Sequence, residues 1–141
     1  MTSRHCYSAV RSSLRSGDVI LWQGDHLVSR LIRGWSEYSH ASLVVRMDYP
    51  GLRDRVWLVE ANRTGVELTL LSRRLDGYKG KVFAHLLYNL LRSQQRAIRR
   101  FALLQMGKPY DFGGLFANVF GRVSPDARRW FCSELAYQAH V

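Results

Sequence analysis

Cys132 is the residue of this chain best suited to nucleophilic chemistry. It lies in Trp130-Phe131-Cys132-Ser133-Glu134-Leu135, where a final stretch of helical character begins. A thiol at a helix start feels the positive end of the helix dipole and nearby unpaired backbone N–H groups, which favour the reactive thiolate. The same N–H groups can hold a developing oxyanion. Phe131 and Leu135 would pack the helix start against a sheet and fix the direction of the sulfur. Free cysteines are also among the most buried and inert residues, so Cys132 becomes a nucleophile only with a base beside it.

His40 is the best base among the five histidines. It follows Tyr38-Ser39 and opens the run Ala41-Ser42-Leu43-Val44-Val45, so its ring sits at the mouth of a strand. A neutral imidazole there can take the thiol proton and later return it to a leaving group. His5 and His140 lie near the termini, His26 falls in a first helical turn, and His85 sits mid-strand. Glu60 ends the strand Val56-Trp-Leu-Val-Glu60. Beside the His40 strand it can accept the second ring N–H and set the tautomer. A solvent-facing carboxylate, or one paired with Arg63, is an equal reading of that position. Cys6 reads as a bystander thiol, and no C-x-x-C or other metal-ligand spacing is present, so neither a metal nor another cofactor is expected.

These residues need elements to position them. Met1 to Ser16 reads as a polar, basic, flexible lead-in. Gly17-Asp18 opens a strand over residues 19–23, and Asp25 can cap a short helix with Leu27, Val28, Leu31 and Ile32 on one face. Strands follow over 40–45, 56–60, 65–70 and 81–87, the third by its period-two alternation. The period then changes: Ser93 can cap a helix that runs to about Met106, where Gly107 and Pro109 stop it. A last helix spans about 130–140. Trp22, Trp57 and Tyr88 read as core or cleft-wall aromatics, and Arg96, Arg99 and Arg100 as a solvated helix face. Gly113-Gly114 is no phosphate loop, since no Lys-Ser or Lys-Thr follows. Early strands followed by helices make an α+β plan.

The chain of 141 residues is long enough for one domain and too short for two. Lys and Arg number 21 against 11 Asp and Glu, a formal charge of +10, and only Lys79, Lys81 and Lys108 are lysines. That balance favours anionic partners: nucleic acid, phospholipid head groups or an acidic cell-wall polymer. The N-terminus lacks the apolar core of a secretory signal, and the stretch 82–91 is too short to span a bilayer. A soluble chain without a signal peptide is expected, cytoplasmic or carried on a phage or secreted particle.

Gly17-Asp18-Val19-Ile20, Ser39-His40-Ala41-Ser42-Leu43-Val44-Val45, Val59-Glu60-Ala61, Tyr110-Asp111 and Phe131-Cys132-Ser133-Glu134-Leu135 occur in one order. That order resembles the permuted papain-like amidases of the YiiX/YebB type, relatives of NlpC peptidases and of lecithin:retinol acyltransferase. In the permuted group the histidine strand comes first and the cysteine helix last. The resemblance runs from about Gly17 to the C-terminus and implies a single domain, 17–141, with an antiparallel barrel-like sheet packed by helices. It assigns nucleophile, base and orienting group to Cys132, His40 and Glu60. Asp18, Tyr110 and Asp111 match recurrent positions that shape the cleft. The chain ends nine residues after Cys132, where members of that group usually continue: it is either a minimal member or a shortened chain, and access to the cleft would be looser if a further tail normally covers it.

The function implied is cleavage of an amide or peptide bond through an acyl-enzyme, with cell-wall peptides as the natural substrate for a basic protein. One alternative keeps the thiol chemistry and moves an acyl chain from a lipid, as a transferase or esterase would. A second is a non-catalytic basic binding module. Nucleic acid is not expected as a partner, because no motif interleaves the charges with stacking aromatics. No stated feature sets the oligomeric state.

Overall fold

The computed structural model describes residues 3–24, 38–62 and 64–109. Helix α1 (Ser3–Val10) leads into five strands: β1 (Val19–Gly24), β2 (His40–Val45), β3 (Trp57–Asn62), β4 (Gly65–Leu70) and β5 (Gly80–His85). A short helix α2 (Leu71–Leu75) stands between β4 and β5, and helix α3 (Arg92–Leu104) follows β5. The strands form one antiparallel sheet in the order β4-β3-β2-β1-β5. The first four make a meander. After α2 the chain crosses back, so that β5 pairs with the open edge of β1. Among the described residues the sheet is open: β4 and β5 are its two edges, and it does not close into the barrel implied by the resemblance.

The central strand β2 is covered on both faces, which is why Ala41 to Val45 is a continuous apolar run broken only by Ser42. On one face Ile20, Trp22, Val44 and Leu58 join Val56, Leu14 and Leu71 in a core, with Tyr7, Leu75 and Tyr78 packed against it. On the other, Leu43, Val45 and Val59 meet Ile98 and Ala102 of α3. Ile98 and Ala102 are four residues apart, the spacing that puts both on one helical stripe. Burying a side chain such as Ile98 contributes roughly 1.5–3 kcal/mol.

Several expectations shift in detail. Residues 1–16 include a helix rather than only loose chain, and Leu14 and Ser16 are buried just after it. The Ser16 Oγ accepts the Arg46 N–H at 2.9 Å, tying the segment to the end of β2. Strand β3 continues past Glu60 to Asn62. Helix α3 is capped from Leu91, not Ser93: the Gln94 side chain accepts the Leu91 N–H at 2.8 Å. Tyr88 is 82% exposed, so it is not a core aromatic. Arg99 turns from the solvated face to an ion pair with Asp48 at 2.5 Å, while Arg96 and Arg100 stay exposed. The hydrogen bond from Arg99 holds the Asp48 carboxyl below its ordinary value, against the smaller opposing effect of desolvation. The expected helices capped by Asp25 and spanning 130–140 lie outside the described residues. No helix among the described residues is long and apolar enough to cross a membrane.

The C-terminal end of α3 returns to the sheet. Lys108 O accepts the Val66 N–H at 3.1 Å, and the Gly107 N–H reaches Val66 O at 2.9 Å. This approach needs Gly65, which has φ +118° and whose Cβ, if it had one, would sit 2.8 Å from Lys108 O. Gly65→Ala is therefore expected to destabilise the fold by about 1–3 kcal/mol, read as a lower urea midpoint at unchanged slope. An unchanged midpoint would mean that this crossing is not held as described.

Candidate active site

The site is built where β1, β2 and β3 run side by side. In the β1–β2 ladder Trp22 pairs with His40, so the two side chains share a face of the sheet. Ser39 sets where β2 begins: its N–H and hydroxyl donate to Trp22 O at 2.8 and 3.0 Å, and its Oγ accepts the Gly24 N–H at 3.2 Å. Ser42 lies two residues after His40 and so projects from the same face. One step beyond the Leu43–Val59 pair, Ser42 comes abreast of Glu60 on β3.

Glu60 Oε1 is the meeting point. His40 Nε2 lies 3.1 Å from it, and the Ser42 hydroxyl donates to it at 2.5 Å. Arg74 Nε, on α2, stands 3.5 Å from the same oxygen. The Trp22 indole N–H donates to Ser42 Oγ at 2.6 Å. The Arg74 guanidinium lies 4.6 Å over the Trp22 ring and 5.6 Å over Tyr78, whose ring meets Trp22 edge-on at 4.9 Å. Glu60 is 1% exposed, the His40 side chain 16% and the Arg74 side chain 34%, so the group opens outward from the carboxylate.

Burial alone would push the Glu60 carboxyl up. Hydrogen bonds from His40 and Ser42, with the charges of His40 and Arg74, outweigh it and hold the carboxyl below its ordinary value. Glu67 of β4 pairs across the ladder with Glu60, and its own carboxylate is occupied by Asn62 and Thr64. Like charges side by side in a sheet are unfavourable, and Arg74 supplies the compensating cation.

Of the residues singled out in the sequence, the structure brings His40 and Glu60 together. Asp18 is buried and serves the fold: its carboxylate accepts the Arg15 N–H at 2.7 Å and the Leu87 N–H at 2.9 Å. This staple joins the start of β1 to the chain after β5. Cys132, Tyr110 and Asp111 lie outside the described residues, as do His26 and His140. His85 is exposed on the edge strand β5. Sequence reasoning missed Ser42, Trp22 and Arg74 as partners of the site. Ser42 was detectable from strand periodicity, because it shares the His40 face. Arg74 was not, since a crossover of the chain carries it there.

An imidazole held by a buried carboxylate and left partly open has the geometry that a general base needs. The family model for the permuted papain-like amidase enzymes of the YaeF/YiiX, C92 family matches residues 13–141. Among solved structures, the chain is similar to the metalloprotein YiiX from Escherichia coli O157:H7, at 27% identity and a TM-score of 0.64. That likeness covers 89% of this chain and 64% of YiiX, so the chain spans somewhat under two thirds of that protein. No curated protein matches the chain. With a family match over nearly its whole length and a His–Glu pair in the order the permuted arrangement requires, the chain belongs to the permuted papain-like amidase family of the YaeF/YiiX type.

Proposed function

We propose that the protein is a cysteine hydrolase that cleaves an amide or peptide bond through an acyl-enzyme. Cys132 is the nucleophile, His40 the general base and Glu60 the group that orients the histidine. The observation that carries this reading is the 3.1 Å approach of His40 Nε2 to a carboxylate that is almost fully buried. With Nε2 turned to Glu60, the thiol is served by Nδ1. Nδ1 takes the Cys132 proton, the thiolate attacks the carbonyl carbon, and the imidazolium protonates the departing amine. Water then gives a proton to Nδ1 and attacks the thioester, releasing the acid and restoring the thiol. Glu60 stabilises the imidazolium in both halves of the cycle.

Cell-wall peptides are the proposed substrate, because the formal charge of +10 favours a polyanionic surface. YiiX is a metalloprotein, but among the described residues of this chain no three His, Cys, Asp or Glu side chains are grouped to hold a metal.

Alkylation by iodoacetamide near neutral pH tests the pairing. An unassisted cysteine is only a few per cent thiolate there, whereas one paired with histidine is largely ionised, so His40→Ala should slow labelling of Cys132 by about tenfold. Cys6→Ala should leave that rate unchanged. Equal Cys132 rates in wild type and His40→Ala would remove His40 from the reaction.

A further inference from the structure

Trp22, Ser42, Glu60 and His40 form a chain whose direction is set at one end. The indole N–H can only donate, so Ser42 Oγ is the acceptor of the 2.6 Å bond from Trp22. With its oxygen so engaged, Ser42 turns its single proton to Glu60 Oε1, 2.5 Å away. That oxygen already receives the hydroxyl proton and faces Arg74 Nε at 3.5 Å, an environment for a carboxylate and not for a carboxylic acid. A carboxylate has no proton to offer, so the 3.1 Å contact with His40 requires the hydrogen on Nε2. Each assignment forces the next.

We propose that Trp22 and Ser42 are positioning residues that, acting through Glu60, hold neutral His40 in the tautomer with Nε2 protonated and Nδ1 basic. The proposal deepens the triad assigned above and rests on it for its catalytic meaning. The burial of the parts fits the role. Trp22, Ser42 and Glu60 are all shielded from water, so no solvent molecule competes for these bonds. Among the described residues, the charged and titratable groups around the carboxylate are His40 from β2, Arg74 from α2, Glu67 from β4 and Tyr78 beyond α2. Arg74 is the cation among them, and its stacking over Trp22 ties it to the residue that starts the chain. Ser42 is thus the link through which an aromatic ring without acid–base chemistry of its own governs the base.

The test is long-range ¹H–¹⁵N correlation on the full-length protein labelled with ¹⁵N-histidine, His40 being assigned by its loss in His40→Gln. Wild type should show His40 protonated on Nε2. Ser42→Ala should introduce the Nδ1-protonated form, and Ser42→Thr should restore the wild-type pattern. Trp22→Phe, which keeps a ring but removes the N–H, should move the tautomer in the same direction as Ser42→Ala and by less. The rate of Cys132 alkylation by iodoacetamide gives a second readout. Ser42→Ala should slow it about tenfold at neutral pH and move its acid limb upward, the size expected for a lost bond to a charged group. A wild-type His40 protonated on Nδ1 overturns the proposal. So does Ser42→Ala with an unchanged tautomer and an unchanged acid limb. If His40→Ala leaves Cys132 alkylation unaltered, the triad itself fails, and the tautomer measurements still decide the positioning chain.

Discussion

Replacing Cys132 with alanine is expected to abolish hydrolysis while leaving a folded protein. Cys→Ala removes one sulfur, a small change in side-chain volume that costs about 1 kcal/mol at most. No other side chain of the constellation can form the acyl-enzyme: His40 and Glu60 are held to each other, and the Ser42 hydroxyl donates to Glu60 and is buried. Removing the nucleophile of such a unit lowers the rate by roughly 10³-fold or more. Release of product from a purified cell-wall peptide is the measurement, with the thermal unfolding of both proteins recorded alongside. His40 remains in the variant, so it should still bind the peptide and hold it uncleaved. Full activity in Cys132→Ala, or its loss in Cys6→Ala, would show that the nucleophile has been assigned to the wrong thiol.

Glu60→Ala should be among the most damaging substitutions for stability. It leaves the Ser42 hydroxyl without its acceptor in a closed site and strips Arg74 of its only counter-ion among the described residues. The unsatisfied buried hydroxyl costs about 1–3 kcal/mol, and Arg74, a third exposed, adds less than a fully buried cation would. Glu60→Gln keeps the shape and removes the charge, which separates packing from ionisation. The sign follows from the direction of the shift. The Glu60 carboxyl lies below its ordinary value of 4.5 in the folded protein, despite desolvation, through its bonds to His40 and Ser42 and the charges of His40 and Arg74. Its ionisation therefore stabilises the fold fully above that ordinary value, and the contribution is lost as pH falls through the lower folded one. Urea unfolding at pH 7 and at pH 3 should show wild type losing its advantage over Glu60→Gln in acid. A gap of equal size at both pH values would mean that the charge of Glu60 carries no share of the stability.

The two residues at the centre of the site were legible for different reasons. His40 stands where a polar pair meets an apolar run, and a strand mouth is the place where one ring can touch both core and solvent. Glu60 looked equally like an exposed strand end. Only the pairing of β2 with β3 decides between the readings, because the same carboxylate one register step away would face the α3 side of the sheet. Asp18, at a position the family resemblance links to the cleft, accepts the N–H of Arg15 three residues before it and that of Leu87 from beyond β5, a pairing that no local pattern foretells.

By itself the sequence determined which stretches become strands, because an apolar run of β-branched residues has few other ways to be buried. It also determined the order of histidine, carboxylate and cysteine along the chain, and with it the family. It did not determine what lies beside Glu60. Trp22 reaches Ser42 because β1 and β2 pair antiparallel in one register, and Arg74 arrives because the chain turns through α2 on its way to β5. Such contacts join residues 14 to 52 positions apart and depend on sheet register and chain crossing, which a local pattern of residue types does not encode. The open sheet belongs with them: period-two alternation says that a strand has two faces, while the pairing of edges is settled only when the whole sheet is assembled.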